Sequence, residues 1–245
     1  MNVSGIGHIA AGEYDEKISI SGSGKIDGNI RCVALYCSGA VTSTGYIVCN
    51  EDIKVSGSCN FKKGLTASSI TTSGNLSVNE DINASETIVV SGTLSLGGSV
   101  KCSLLKCSGS MDIGKGAEAE EIHISGKIKC AGLINAEKVD IKLDSFNTES
   151  TVGSIGGCDI KIHNERKGYK NSRMPLLSKL MGADRGFFTV NELVEGDSVA
   201  VEYVKAPRVV GRVVAIGEGC VIDNVQYSEE IEIHPDAKVG LCEKI

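Results

Sequence analysis

A Ser-Gly pair recurs eight times in this chain, beginning at Ser4, Ser21, Ser38, Ser56, Ser73, Ser91, Ser108 and Ser125. The spacings are 17, 17, 18, 17, 18, 17 and 17 residues. A fixed period of this size marks a fold built by stacking one unit many times, and it constrains every other reading of the sequence.

With each Ser taken as position zero, the seven turns from Ser21 to Ser125 can be compared column by column. Positions −3, −1, +3, +5, +9 and +11 hold 39 apolar residues out of 42, the exceptions being Gly24, Ser43 and Thr72. The interleaved positions −2, +4 and +10 hold 3 apolar residues out of 21, namely Tyr36, Val48 and Val89. Alternation with period two specifies strands with one buried face. Three apolar pairs per turn, separated by short corners, specify three strands around one core. The fold expected is therefore all-β, a three-sided parallel β-helix. Position −3 runs Ile18, Leu35, Ile53, Ile70, Ile88, Leu105, Ile122 and Val139, so like stacks on like. The glycine after each Ser suits a corner that needs either positive φ or a tight approach.

Composition fits narrow layers: no Trp, 3 Pro, 30 Gly and 4% aromatic residues. No stretch has the length of a membrane span and the first residues lack a signal-peptide pattern, so the expected location is cytoplasmic. The net charge of −6 argues against general nucleic-acid binding. Seven of the ten cysteines (Cys32, Cys37, Cys49, Cys59, Cys102, Cys107 and Cys130) fall on inward positions, and no CxxC occurs. They read as small core residues rather than metal ligands or disulfides.

The pattern fades after Ile141, and the stretch 144–157 loses phase. Cys158, Ile160 and Ile162 read as one further strand. Residues 161–185 then carry seven Lys or Arg against two acids. Within them, Met174 to Met181 has Pro175 at a first helical position and apolar residues at helical spacing, which predicts a short amphipathic helix. Leu176, Leu177, Lys179, Leu180 and Met181 are the candidates there for packing back on the column or for contacting a partner protein or the inner membrane surface. Beyond Asp197 apolar pairs resume, and Val214/Ile216 recurs 17 residues later as Ile231/Ile233. The organisation expected is a main β-helix over 1–163, a basic linker with the helix over 164–193, and a second short β module over 194–245.

Catalytic patterns are scarce. His8, His123, His163 and His234 lie near no plausible nucleophile with a third partner. Gly22-Ser23-Gly24-Lys25 lacks the spacing of a phosphate-binding loop. Asp112, Glu118, Glu120 and Glu121 read as a solvated acidic patch. No enzymatic activity, cofactor or metal is expected.

The local form I-x-[VIC]-S-G, as in Ile18-Ser19-Ile20-Ser21-Gly22 and Ile122-His123-Ile124-Ser125-Gly126, resembles the bactofilins, bacterial polymer-forming cytoskeletal proteins. The likeness covers residues 1 to about 141. The run from Val194-Glu195-Gly196-Asp197 to Cys220 resembles longer bactofilin-like proteins of Gram-positive bacteria. The resemblance implies a right-handed β-helix that polymerises without nucleotide. The interruption at 144–197 and the second β module depart from the short members, which have one β-helix and disordered tails.

Two functions are therefore expected to compete. One is a scaffold that self-assembles through the β-helix ends and positions other proteins; its partners are further copies of itself. The other is a solenoid adaptor that contacts a partner or membrane surface through 161–185. For self-association, the candidates are Met1, Val3 and Ile9, with Glu13 and Asp15 expected to face inward on the third side of the first layer. Pro235 with Glu243 and Lys244 is expected to close the far end.

Overall fold

In the computed structural model, residues 1–143, 150–164 and 187–245 are described, and they form one coiled sheet of 24 strands. The strand pairs are parallel, and the chain winds as a three-sided β-solenoid of about 13 turns. The first face carries positions −3 and −1 of each turn, the second +3 and +5, the third +9 and +11. At roughly 4.8 Å per layer the column is about 60 Å long.

The rows match the sequence period. Ile18 pairs with Leu35, Leu35 with Ile53, Ile53 with Ile70, and the row continues through Ile88, Leu105, Ile122 and Val139. It then runs on through Ile160, Val199, Val214 and Ile231. Strands on both sides of 165–186 thus stack in one column. Phe188–Val190 and Leu193–Val201 both pair with Thr151–Asn164. The helix expected between Met174 and Met181 lies outside the described residues.

The three exceptions to the apolar rows also lie on the inward side. Ser43 and Thr72 are 1% exposed, and their hydroxyls donate to the corner carbonyls of Gly45 and Gly74. Gly24 is buried because Ile20 fills its place: an added Cβ would lie 2.9 Å from Ile20 Cγ2. All seven inward cysteines are buried, as their phase requires.

The Ser-Gly corner owes its glycine to close approach. Gly22, Gly39, Gly57, Gly74, Gly92, Gly109 and Gly126 stack so tightly that a Cβ on any of them would lie 1.9–2.1 Å from the carbonyl oxygen of the glycine below. None of these glycines has positive φ. Leu143 takes the place above Gly126, and its Cβ forbids the same stacking. The strand Lys127–Leu143 extends two residues beyond the row of Ile124, and Thr151–Asn164 ends level with it, Asn164 pairing with Leu143.

Two expectations concern the next turn. The stretch 144–157 was expected to lose phase; 144–149 lie outside the described residues, and Thr151–Asn164 pairs with Lys127–Leu143 with a register shift between Cys130 and Leu133. Its rows are hard to see because Gly153, Gly156 and Gly157 interrupt the apolar alternation. Cys158, Ile160 and Ile162, expected as one further strand, lie together in Thr151–Asn164; Ile160 and Ile162 are buried and Cys158 is exposed.

Candidate functional site

A coiled parallel column has two ends where backbone groups and apolar rows meet no further layer, and these are its natural contact surfaces. At the N-terminal end Ile9 is buried, while Met1, Val3 and Tyr14 are partly buried against the core. The terminal amine is held by the Glu16 carboxylate and by the Lys17 carbonyl at 2.7 Å. Tyr14 donates from its hydroxyl to the Ala10 carbonyl at 2.8 Å.

Glu13 and Asp15 do not face inward. The corner between Ala10 and Gly12 is one residue shorter than the corner it stacks on, so Gly12 pairs with Ile30 and Tyr14 with Cys32. Glu13 is thereby turned outward, opposite Arg31, with 3.7 Å between the charged groups. Asp15 is exposed at the next corner. The third side of the first layer is covered by the Tyr14 ring and carries no inward charge.

The C-terminal end is the more open one. Ile231 and Ile233 continue the rows of Val214 and Ile216, and Val239 continues that of Ile222. Nothing among the described residues lies above them. Ile233 is 40% exposed, although Ile216 directly below it is 1% exposed. Leu241 and Ile245 are also exposed, as is Cys242. Pro235 and Glu243 are both exposed, and Glu243 accepts from Gln226 Nε2 at 3.4 Å. Lys244 reaches across, with Nζ 6.0 Å from the centre of the Tyr227 ring and donating to the Glu229 carbonyl at 3.4 Å.

Away from the ends, stacking assembles one cluster that the separate sequence positions did not suggest. His123 and Asp140 occupy the same outward row on adjacent turns, and His163 lies one turn higher. Asp140 sits between the two imidazoles, 3.7 Å from His123 Nδ1 and 3.4 Å from His163 Nδ1. Glu121 lies 2.9 Å from His123 Nε2, and this contact holds the Glu121 carboxyl below its usual range. Among the described residues, no group of three or more His, Cys, Asp or Glu is arranged to hold a metal. Glu118, from the expected acidic patch, is exposed and pairs with Lys101 at 3.0 Å.

The third face carries a shallow groove of about 800 Å³ between Leu133 and Ile245. Its floor is largely backbone, because Gly156, Gly157, Gly196 and Gly211 stand where lower turns carry side chains. The candidate contact residues Leu176, Leu177, Lys179, Leu180 and Met181 lie outside the described residues.

No family model matches the chain, and no solved structure matches it. Curated relatives include "Uncharacterized protein YhbE" of Bacillus subtilis (strain 168), 32% identical over 117 residues, which cover 48% of this chain and 45% of that protein. "Uncharacterized protein YhbF" of the same organism is 28% identical over 108 residues, covering 44% of this chain and 40% of that protein. The chain spans less than half the length of the curated relatives it matches. Neither printed name states an activity.

Proposed function

We propose that this protein is a non-enzymatic scaffold of bactofilin type that self-assembles through the ends of its solenoid, without nucleotide, and positions other proteins. The observation that carries this reading is the exposed apolar surface at the last described layer. Ile233 is 40% exposed at the top of a row whose lower members are buried. Covering such a layer with another copy removes apolar surface from water and continues the hydrogen-bond ladder in one step. Continuing a ladder needs only backbone groups and matched spacing, so a second solenoid end is a fitting partner.

The test is light scattering and electron microscopy of the purified chain, with Ile233→Asp and Val239→Asp together in one variant and Val3→Asp in another. Wild type is expected to form assemblies, and the C-terminal variant to lose them while keeping its melting profile. A wild type that stays monomeric at high concentration leaves the adaptor reading, in which residues 161–185 contact a partner or a membrane surface. If Val3→Asp alone abolishes assembly, the N-terminal layer is the contact instead.

A further inference from the structure

Cys32 and Cys49 are neighbours in one inward row, paired in register where Ser23–Cys32 meets Ile47–Cys49. Both are buried, and their sulfurs lie 3.4 Å apart. The other cysteines of these turns have aliphatic row neighbours: Cys37 lies between Ile20 and Val55, and Cys59 between Val41 and Leu76. Packing alone does not call for the pair, because alanine fills the same row on the next two turns, at Ala67 and Ala84.

We propose that Cys32 and Cys49 form an internal modification site, at which a peroxide oxidises the two thiols to a disulfide that joins the second turn of the column to the third. The backbone spacing suits the bond. Successive layers stand roughly 4.8 Å apart, within the Cα span of about 4.4–6.8 Å that disulfides need. The side chains close the remaining gap by turning about their Cα–Cβ bonds.

The pair is also polarised. Cys32 donates to the Ala34 carbonyl at 3.6 Å, and the Cys49 thiol faces the Cys32 sulfur. That contact lowers the Cys32 thiol; the same contact raises that of Cys49, and burial adds to the rise. Cys37, pushed up by its contact with Cys59 and by burial, is the poorer nucleophile. The Cys32 thiolate attacks one oxygen of the peroxide, the O–O bond breaks, and the departing hydroxide takes a proton to become water. This leaves a sulfenic acid on Cys32. The Cys49 sulfur then attacks the Cys32 sulfur as its own proton departs, the S–O bond breaks, and a second water leaves. Two thiols have lost two electrons, and one peroxide has become two waters.

Entry is from the N-terminal end. The residue beneath Cys32 in the row is Tyr14, which belongs to the first layer and is only partly buried. Opening of residues 2–14 bares Cys32, and hydrogen peroxide is small enough to follow. The bond therefore forms more slowly than reaction at the exposed Cys158 and Cys242, at a rate set by how firmly the first layer is closed.

The experiment uses the full chain with Cys158 and Cys242 changed to Ser. It is treated with hydrogen peroxide while folded, then unfolded, alkylated and digested with trypsin. Cleavage after Arg31 and Lys54 puts Cys32, Cys37 and Cys49 on one peptide. That peptide is expected to have lost two hydrogens, to alkylate at Cys37 alone, and to recover all three thiols after dithiothreitol. Cys49→Ala, verified as folded by circular dichroism, is expected to lose the product, whereas Cys37→Ala keeps it. Tyr14→Ala is expected to speed the bond by about fivefold or more, because it uncovers the row. The proposal is overturned if all three thiols still alkylate, if the bond takes in Cys37 or Cys59, or if oxidation runs to sulfinic acid without a disulfide. An unchanged rate in Tyr14→Ala overturns entry from the N-terminal end.

Discussion

Gly39 lies directly over Gly22, so close that a Cβ built on Gly39 would stand 1.9 Å from the Gly22 carbonyl oxygen. The amide of Gly39 and that of Ser38 both point to the carbonyl of Ile20, at 3.3 and 2.9 Å. The corner is thus a column of backbone packed on backbone, and its sequence signature is steric.

A graded set of alanine substitutions tests this. Gly92→Ala would place a Cβ 2.1 Å from the Gly74 carbonyl oxygen, which forces two turns apart. It is expected to cost about 3 kcal/mol or more, lowering the melting temperature by roughly 6–12 °C. Gly5 has nothing within 4 Å of such a Cβ among the described residues. Gly5→Ala should leave the melting temperature within about 2 °C of wild type. Equal losses at the two sites would show that conformational freedom, and not stacking, keeps glycine there.

Thr72 sits in an inward row between Val55 and Val90 and is 1% exposed. Its hydroxyl reaches the Gly74 carbonyl at a long 3.4 Å, and that carbonyl already accepts from the Thr93 amide at 2.9 Å. Removing the hydroxyl therefore orphans nothing, and Val matches the row. Thr72→Val is expected to stabilise the protein by about 0.5–1 kcal/mol, measurable by urea unfolding. A loss of stability would mean that the hydroxyl bond is worth more than its length suggests.

The rows that could be read from the sequence are those in which apolar and polar residues alternate without interruption, from Ile18 to Ile141. Row arithmetic also placed Ile231 over Val214, which the register confirms. It misplaced Glu13 and Asp15 because a corner shortened by one residue carries no residue signature, while the shift reverses the phase of all that follows until Ile18. It read Cys158 to Ile162 as a strand but lost the part of Thr151–Asn164 before them, because Gly153, Gly156 and Gly157 erase the contrast between inward and outward positions. Asp140 beside His123 was within reach, being 17 residues away on the same row. His163 was not, because 144–149 break the count. Exposure at Ile233 follows from its place in the last described layer, which no local pattern encodes.

Cysteine accessibility gives a sharp count. Cys158 and Cys242 are exposed and the other eight are buried, including Cys32 and Cys49, whose sulfurs lie 3.4 Å apart inside the column. A disulfide reagent is expected to titrate two thiols per native chain rapidly and all ten after denaturation. Rapid reaction of four or more in the native state would show that the interior opens without global unfolding.

The same burial makes stability depend on alkaline pH. Burial pushes the Cys102 thiol up to about 12, and those of Cys107 and Cys220 to about 11. Unfolded thiols titrate near 8.5. Below that value both states hold their thiol protons and stability does not depend on these groups. Above it the unfolded chain releases protons that the folded chain keeps, so the folded state binds more protons and stability falls as pH rises. Each of the three thiols can add a slope of up to about 1.4 kcal/mol per pH unit between pH 8.5 and its folded value. The urea midpoint is expected to be flat from pH 7 to 8 and to fall measurably by pH 9.5, before most lysines titrate. Changing Cys102, Cys107 and Cys220 together to Ala lowers stability at pH 7 through lost packing. It should also flatten the decline between pH 8.5 and 9.5. A decline of unchanged steepness in that variant would assign the alkaline sensitivity to other groups.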